Sequence, residues 1–330
     1  MLTLIAAAVL RQEAFPPTLL VLNKGNDTVW LVDLDTGKRR AELPTGPNPN
    51  EVAVSPDQKT AAISNMGTGG RPPGTTITLV DVASAKVKAT LDINPNGAPH
   101  GIYWLDDKTL AFTSHVTDTV NTFDVASGKL VRSVKSEQKG THLVVFPPDQ
   151  KRAFAVNAFS GTVTAFDWLS GKVLKQISTG DRAEGISISP DGKTVACGNV
   201  GADNVSLISG TSLEVTKTLA GLKMPIRTLF AADGKSLVVS NVGTGSLEAF
   251  RVADGKPIAS VALRQKPLAD PKYGDQWPVP MNLFRRKNGH IMVVLVTSHA
   301  VAEVDPESWK VVKTFDTGPL PDGMAVSEPM

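Results

Sequence analysis

A single unit recurs seven times along the chain, and this repeat limits the possible folds more than any other feature. Its landmark is an apolar strand that ends in a small polar residue, as in Ala61-Ala-Ile-Ser-Asn65. The landmarks begin at Leu19, Ala61, Leu110, Ala153, Val195, Leu237 and Ile291, with spacings of 42, 49, 43, 42, 42 and 54 residues. A period in the low forties built from short strands is typical of β-propeller blades and not of helical solenoids.

Two turn motifs recur within each unit and divide it into four strands, called a, b, c and d from the channel axis to the outer rim. One is an Asp turn closed by glycine, as in Asp33-Leu-Asp-Thr-Gly-Lys38, and the other is Ser189-Pro-Asp-Gly-Lys193 or a variant of it. Asp accepts backbone N–H groups in such turns, and glycine supplies the left-handed residue that returns the chain as a hairpin. The motifs predict four antiparallel strands per blade.

The two ends of the chain are predicted to complete one blade together. Residues 321–327 form an a strand with no b strand after it, whereas the first repeat opens at a b strand. Sharing a blade leaves no sheet edge at the closure. The sequence therefore predicts an all-β, seven-bladed propeller over residues 19–330, preceded by a lead-in or signal-like segment at residues 1–18.

The amino-acid composition limits the classes of function that the chain can have. The 330 residues include 34 Lys and Arg against 32 Asp and Glu, a net charge of +2, which gives no global reason to expect nucleic-acid or anionic-membrane binding. The single cysteine, Cys197, excludes an intramolecular disulfide and thiolate metal clusters. The apolar run at residues 2–10 is too short to span a bilayer. We interpret it as an export signal, so a periplasmic or secreted monomer is expected; if the run is not a signal, the chain is expected to be cytoplasmic.

Several motifs carry a resemblance to a known family. Ser189-Pro-Asp-Gly-Lys193, Val195-Ala-Cys-Gly-Asn199, and Thr179-Gly-Asp181 before Glu184-Gly-Ile186 resemble the unit of the bacterial YVTN-repeat (YncE-like) seven-bladed propellers. The match spans about residues 19 to 330, and the WD dipeptide of WD40 blades is absent. The resemblance implies an exported binding protein, with lactone-hydrolysing and quinoprotein amine dehydrogenase-like propellers as more distant relatives.

The entry position of each a strand is the place to look for chemistry, because in a propeller this position lines the mouth of the central channel. The seven aligned residues are Asn50, His100, His142, Glu184, Ile226, Met281 and Asp322. Five consecutive positions around the ring, from Asp322 to Glu184, are polar. Arg227 follows Ile226, and Asn282 follows Met281.

This polar half-ring has two interpretations. It binds a small ligand, an anion or a divalent metal, or performs acid–base chemistry, since clustered titratable groups need one another or a ligand. Alternatively, it only solvates a water-filled channel. The metal candidates are His100, His142, Glu184 and Asp322, whose donor types suit a divalent ion. The catalytic candidates are His100, His142 and Glu184 as bases, with Arg227 stabilising an oxyanion.

Two insertions fall on the same face. Residues 264–280 expand a d–a connection and residues 67–75 expand a b–c connection. They carry Arg71, Tyr273 and Trp277, which predict a basic and aromatic lid over the ligand site. The alternative is a surface insertion that packs Trp277 over Ile226 and Met281.

Other candidates are assigned structural roles. The recurrent Asn residues at the ends of b strands are predicted to bond turn backbone, and Cys197 to be inert core. His115 and His299 lie in b–c loops on the same face, where they either contribute to a site or are exposed loop residues, and the second interpretation is favoured. The basic triple Arg285-Arg-Lys287 is interpreted as a solvated turn. The sequence contains no GxSxG, HExxH or Walker motif. The favoured function is a binding or scaffold protein that takes a small molecule or a partner protein at the channel mouth, and the alternative is a lactonase-like hydrolase at the same place.

Overall fold

A computed structural model describes residues 15–67, 69–263 and 278–329, and these residues form seven four-stranded antiparallel sheets. Blades 1 to 3 contain β1 (Thr18–Asn23), β2 (Thr28–Asp33) and β3 (Arg39–Pro44); β4 (Pro49–Val54), β5 (Thr60–Gly67), β6 (Pro73–Asp81) and β7 (Lys86–Asp92); and β8 (Pro99–Trp104), β9 (Thr109–Ser114), β10 (Thr119–Asp124) and β11 (Lys129–Lys135). Blades 4 and 5 contain β12 (Thr141–Val145), β13 (Arg152–Asn157), β14 (Thr162–Asp167) and β15 (Lys172–Ser178); and β16 (Ala183–Ile188), β17 (Thr194–Asn199), β18 (Asn204–Ser209) and β19 (Val215–Leu219).

Blade 6 contains β20 (Pro225–Phe230), β21 (Ser236–Asn241), β22 (Ser246–Arg251) and β23 (Pro257–Ala262), and blade 7 contains β24 (Pro280–Arg285), β25 (Ile291–Leu295), a 3₁₀ turn (Val296–Ser298), β26 (Ala300–Asp305) and β27 (Lys310–Asp316). The last strand, β28 (Pro321–Ser327), returns to blade 1. The predicted seven-bladed, all-β fold is confirmed.

The closure by a shared blade is also confirmed. Strand β28 pairs antiparallel with β1, with Leu19 opposite Val326 and Leu20 opposite Ala325, so blade 1 has the order β28-β1-β2-β3. Its a strand is therefore supplied by the C-terminus and its other strands by the N-terminal repeat.

The Asp turns form as the sequence indicates. Oδ1 of Asp33 accepts the backbone N–H groups of Asp35 and Thr36 at 2.9 Å, and Gly37 has φ 71°. The backbone hydrogen bond from Thr36 is the main reason that the pKa of Asp33 is lowered. These bonds hold each c strand to its d strand at the outer rim.

The apolar core lies between neighbouring blades. In one such layer Leu19 and Val21 of blade 1 pack with Met292 and Val301 of blade 7, all fully buried. Burying a large aliphatic side chain contributes about 1.5–3 kcal/mol, so each blade depends on both of its neighbours for stability.

Basic side chains add a second link between blades. Arg40 on β3 donates to the carbonyl oxygens of Val82 and Ala83, which lie in the c–d turn of blade 2. Arg132, Lys217 and Lys313 reach the corresponding turns of their next blades in the same way. The sequence analysis did not identify these contacts.

Two details differ from the sequence-based expectations. The expanded connection at residues 67–75 lengthens the β5–β6 hairpin, with Gly67 opposite Pro73, and residues 69–72 lie in the turn that joins the two strands. The mouth positions are the second residues of the a strands and do not precede them. The signal-like residues 1–14 lie outside the described part of the chain. None of the helices in that part has the length and apolarity needed to cross a membrane.

Candidate site at the channel mouth

The second residues of the seven a strands occupy equivalent places at one end of the central channel, which we call the channel mouth. The a strands of adjacent blades come very close there. A Cβ on Gly185 would lie 2.2 Å from the carbonyl oxygen of Ile226 in the next blade, and one on Gly323 would lie 2.2 Å from that of Asn50. These glycines allow the inner strands to crowd together, which brings the mouth side chains within reach of one another.

Three imidazole rings and one carboxyl group converge on one side of the mouth. The ring centroids of His100 and His142 are 3.7 Å apart, and His115 lies 5.5 Å from the first and 5.2 Å from the second. Glu184 approaches His142 on the other side, with Oε2 3.3 Å from Nε2. We call these four residues the histidine cluster.

The rings of the histidine cluster are held in their neutral form. Burial holds the pKa of His100 and of His142 well below the usual value of 6.5, and the positive charge of Arg227 lowers both further. Burial also lowers the pKa of His115, although the carboxylate of Asp118 opposes the shift. Neutral imidazoles both donate and accept hydrogen bonds, so the cluster offers both functions without net charge.

The tautomer of His142 follows from its backbone contact. Its Nδ1 lies 2.9 Å from the carbonyl oxygen of Glu184, which can only accept, so Nδ1 carries the proton. In the neutral ring Nε2 is then unprotonated, and its lone pair faces the Glu184 carboxyl group. Burial raises the pKa of Glu184, against the opposing charges of Arg227 and Arg182. Burial thus disfavours the charged form of both groups, the imidazolium of His142 and the carboxylate of Glu184.

Two ring nitrogens of the cluster have unused hydrogen-bonding capacity. Nδ1 of His100 and Nε2 of His115 are buried and have no hydrogen-bond partner among the described residues. Most buried polar atoms in folded proteins have a partner, and each exception requires an explanation, of which a water, an ion or a ligand is one. The cluster therefore has the capacity to bind a polar group.

The remaining members of the predicted half-ring are paired elsewhere. Asp322 forms an ion pair with Lys24 of the β1–β2 turn, and its Oδ1 is buried without a partner among the described residues. Nδ2 of Asn50 lies 3.0 Å from the sulfur of Met66. The five polar positions thus form one cluster and two local pairs, and not a continuous ring.

Arg227 is held by a contact that crosses the channel. Its Nη2 donates to Oε1 of Glu51 at 2.8 Å, and Nδ2 of Asn282 donates to the other carboxylate oxygen at 2.8 Å. Their strands β20, β4 and β24 belong to blades 6, 2 and 7, so the bonds connect nearly opposite walls. The guanidinium retains a buried Nε without a partner in the described part of the chain. Burial raises the pKa of Glu51, and Arg227 opposes that shift.

A shallow cavity of about 350 Å³ lies over the other side of the mouth. Lys24, Arg71, Met281 and Asp322 are among its lining residues. Arg71 is ion-paired with Asp27. Arg71 is thus separate from the histidine cluster, and the other two predicted lid residues, Tyr273 and Trp277, lie outside the described residues.

No group of three or more His, Cys, Asp and Glu side chains in residues 15–67, 69–263 and 278–329 is arranged to hold a metal ion. The predicted metal set is also divided in space, because Asp322 pairs with Lys24 and not with His100, His142 or Glu184. A divalent ion at this site stays a prediction.

Three structural assignments from the sequence need correction. His115 is part of the histidine cluster and not an exposed loop residue. The Asn residues at b-strand ends mainly bond side chains of the c strand, as Asn65 does with Thr76 and Thr78. The basic triple is not a free solvated turn, because Arg286 pairs with Glu303 and Glu328. Cys197 is buried as expected, and burial raises its pKa to about 12.

Glu51 and Lys24 are the site residues that the sequence analysis missed. Glu51 occupies the third position of its a strand, as Arg227 and Asn282 do, where Gly101, Gly185, Gly323 and Leu143 stand in the other blades. The polar residues that three blades carry at this inner position were the sequence signal from which Glu51 could have been identified. Lys24 lies one residue beyond a b strand, as His115 does, and aligning the b–c turns would have found both.

Fold and site together define a seven-bladed β-propeller with a polar, partly unsatisfied channel mouth. A family model described as lactonase, seven-bladed β-propeller, matches residues 94–256, which is just under half of the chain and contains the whole histidine cluster and Arg227. No curated protein matches the sequence.

Two solved structures illustrate the similarity in fold. A functionally unknown protein from Desulfotomaculum acetoxidans superimposes with a TM-score of 0.77 at 13% identity, covering 95% of this chain and 99% of that one. Hydrazine synthase from Kuenenia stuttgartiensis gives 0.71 at 19% identity, covering 85% and 90%. At these identities the likeness concerns the fold alone.

Proposed function

We propose that this propeller binds a small, uncharged polar molecule at the histidine cluster. The observation that carries the proposal is the pair of buried ring nitrogens, His100 Nδ1 and His115 Nε2, which have no hydrogen-bond partner among the described residues. Because a neutral imidazole can carry its proton on either nitrogen, the two atoms can both donate to the oxygens of a lactone or ester, or one can donate and the other accept when an amide binds. The fixed rings lose little entropy on binding.

The charge balance of the mouth supports an uncharged ligand. Arg227 is compensated by Glu51, and Lys24 by Asp322. The rings are held neutral, and Oε1 of Glu184 lies 3.9 Å from Nη2 of Arg182. Each of these charged groups has a counter-charge among the described residues, so none of them favours an ionic ligand, whereas esters, lactones and amides present the hydrogen-bonding groups that neutral imidazoles recognise. Export from the cytoplasm remains part of the proposal and rests on the apolar run at residues 2–10.

Hydrolysis of a lactone is the second candidate, favoured by the family model that covers the cluster. Glu184 would act as general base, because its side chain is 20% exposed against 7% for His142 and its pKa is raised. Water would lose a proton to Glu184 and form the new bond to the acyl carbon. The ring C–O bond would break, and Glu184 would return the proton to the leaving alkoxide. The buried Nε of Arg227 is available to stabilise the oxyanion.

The test is a thermal-shift survey with γ-butyrolactone, γ-octalactone, acetamide, succinate and zinc chloride on the wild type and the His100→Asn/His142→Asn variant. A lactone or the amide is expected to raise the melting temperature of the wild type only, because a ligand that binds the native state stabilises it. A shift that persists in the variant, or no shift with either lactone or with acetamide, would contradict the proposed site. Release of acid from a bound lactone, abolished in Glu184→Gln, would establish hydrolysis.

A further inference from the structure

Two exposed apolar side chains stand beside the histidine cluster. Phe159 is 79% exposed and Val116 is 54% exposed, and they lie in the b–c turns of adjacent blades 4 and 3. The ring centroid of Phe159 is 6.1 Å from that of His115, in an edge-on arrangement. The cluster is therefore bordered by apolar surface that is open to solvent.

These two residues occupy a position that is glycine in four of the other five blades. In six blades the residue two positions after the Asn or Ser landmark of the b strand donates its backbone N–H to a carbonyl oxygen of the preceding d–a connection. The six donors are Gly25, Gly67, Val116, Phe159, Gly201 and Gly243. Only the two blades that hold His100, His115 and His142 carry a large side chain there. The apolar residues thus coincide with the cluster and are not spread around the mouth.

The chain makes room for Phe159 in the adjoining connection. A Cβ on Gly140 would lie 2.8 Å from Cδ2 of Phe159. The equivalent left-handed positions of five other blades carry side chains: Asn48, Ala98, Arg182, Met224 and Leu320. Among these positions only Gly140 lacks a side chain, and a side chain there would collide with the aromatic ring of Phe159.

From this arrangement we infer that the ligand is amphipathic, with a compact polar head in the histidine cluster and an apolar tail or ring that covers Phe159 and Val116. The inference rests on the proposed function and extends it to the ligand class. Two side chains offer far less area than the roughly 800 Å² per partner of a stable protein–protein contact, so the occupant is a small molecule. An apolar tail there removes the exposed ring from water, which favours binding.

The test is a binding series by isothermal titration with γ-butyrolactone, γ-hexalactone and γ-octalactone, which share one polar head and differ only in alkyl chain. Each methylene that becomes fully buried tightens binding by about fourfold, and a partly covered one by less. We expect the dissociation constant of the wild type to fall at least tenfold from γ-butyrolactone to γ-octalactone.

Three variants locate the effect. Phe159→Ser is expected to lose most of this gradient while binding γ-butyrolactone as the wild type does, and Phe159→Leu is expected to retain it. The matched control is Leu169→Ser, which changes an equally isolated side chain, 68% exposed, in the c–d turn at the other end of blade 4 and should keep the full gradient.

The outcomes separate the two proposals. Equal binding of all three lactones, or a gradient that survives in Phe159→Ser, would overturn the amphipathic ligand while leaving the polar site intact. Failure of every lactone to bind the wild type would overturn the proposed site itself and this extension with it.

Discussion

Glu51 and Arg227 are 176 residues apart in sequence, and Oε1 of the first lies 2.8 Å from Nη2 of the second across the central channel. Both side chains are about nine-tenths buried. A buried ion pair is costly to break from one side, because the surviving charge has neither water nor a partner. The contact therefore ties blades 2 and 6 together and fixes a positive charge that adds to burial in holding the pKa of His100 and of His142 low.

Removing the Glu51 carboxylate should destabilise the protein strongly. Glu51→Ala leaves the Arg227 guanidinium buried without its counter-charge, so we expect a loss of about 3–5 kcal/mol in the free energy of unfolding, measured by urea denaturation. The matched control is Lys175→Ala, which removes an exposed inter-blade ion pair with Glu214 and should cost less than about 1 kcal/mol. Equal losses in the two variants would show that the cross-channel pair has no special role.

Acid should weaken the folded state through the histidine cluster. The pKa values of His100 and His142 are lowered by burial, so below pH 6.5 the unfolded chain binds more protons than the folded one and stability falls as the pH falls. Each ring contributes at most about 1.4 kcal/mol per pH unit. Unfolding free energies at pH 7.5 and 5.5 should differ more in the wild type than in His100→Asn/His142→Asn.

The comparison isolates the imidazoles. Glu51 contributes in the opposite direction, because its raised pKa means that the folded state binds the extra proton, but it is present in both proteins. An identical pH dependence in the wild type and the variant would mean that the rings are not held neutral.

Deleting residues 321–330 should abolish cooperative unfolding of the whole propeller. The deletion removes β28, so β1 loses its partner and blade 1 its innermost strand. Removing only residues 329 and 330 leaves every pair of β28 in place and serves as the control. A single cooperative melt at the wild-type temperature after the longer deletion would refute the shared blade.

The basic links between blades should contribute measurably to stability. Arg40→Met removes donors to Val82, Ala83 and Thr18, and the loss should be about 1–3 kcal/mol. Lys129→Met, a change at an exposed position of β11, should stay within about 0.5 kcal/mol of the wild type. Comparable urea midpoints for both variants would argue that the Arg40 contacts are incidental.

The fold was predictable because each blade repeats the same strand and turn chemistry, and the unpaired end strands at residues 19 and 321 indicated the closure. The candidate site was predictable only in part. Alignment of the a strands identified His100, His142 and Glu184, since a repeat places equivalent residues on one ring. It did not reveal which neighbours pair, because partners such as Glu51 and Arg227 meet only when the ring closes. His115 was recognised as a possible contributor, but the exposed-loop interpretation was favoured because its burial against His100 and His142 appears only in the assembled ring.

The most direct test of the central claim is the side-chain NMR spectrum of the chain labelled with ¹⁵N-histidine, which has five imidazoles to assign by single substitution. On titration with γ-octalactone, the account predicts that the ring nitrogens of His100, His115 and His142 shift together. His290, which bonds Glu303 at the opposite end of the propeller, should stay unchanged. Unmoved resonances for the three clustered rings at saturating probe, or a shift confined to His290, would contradict a ligand site at the channel mouth.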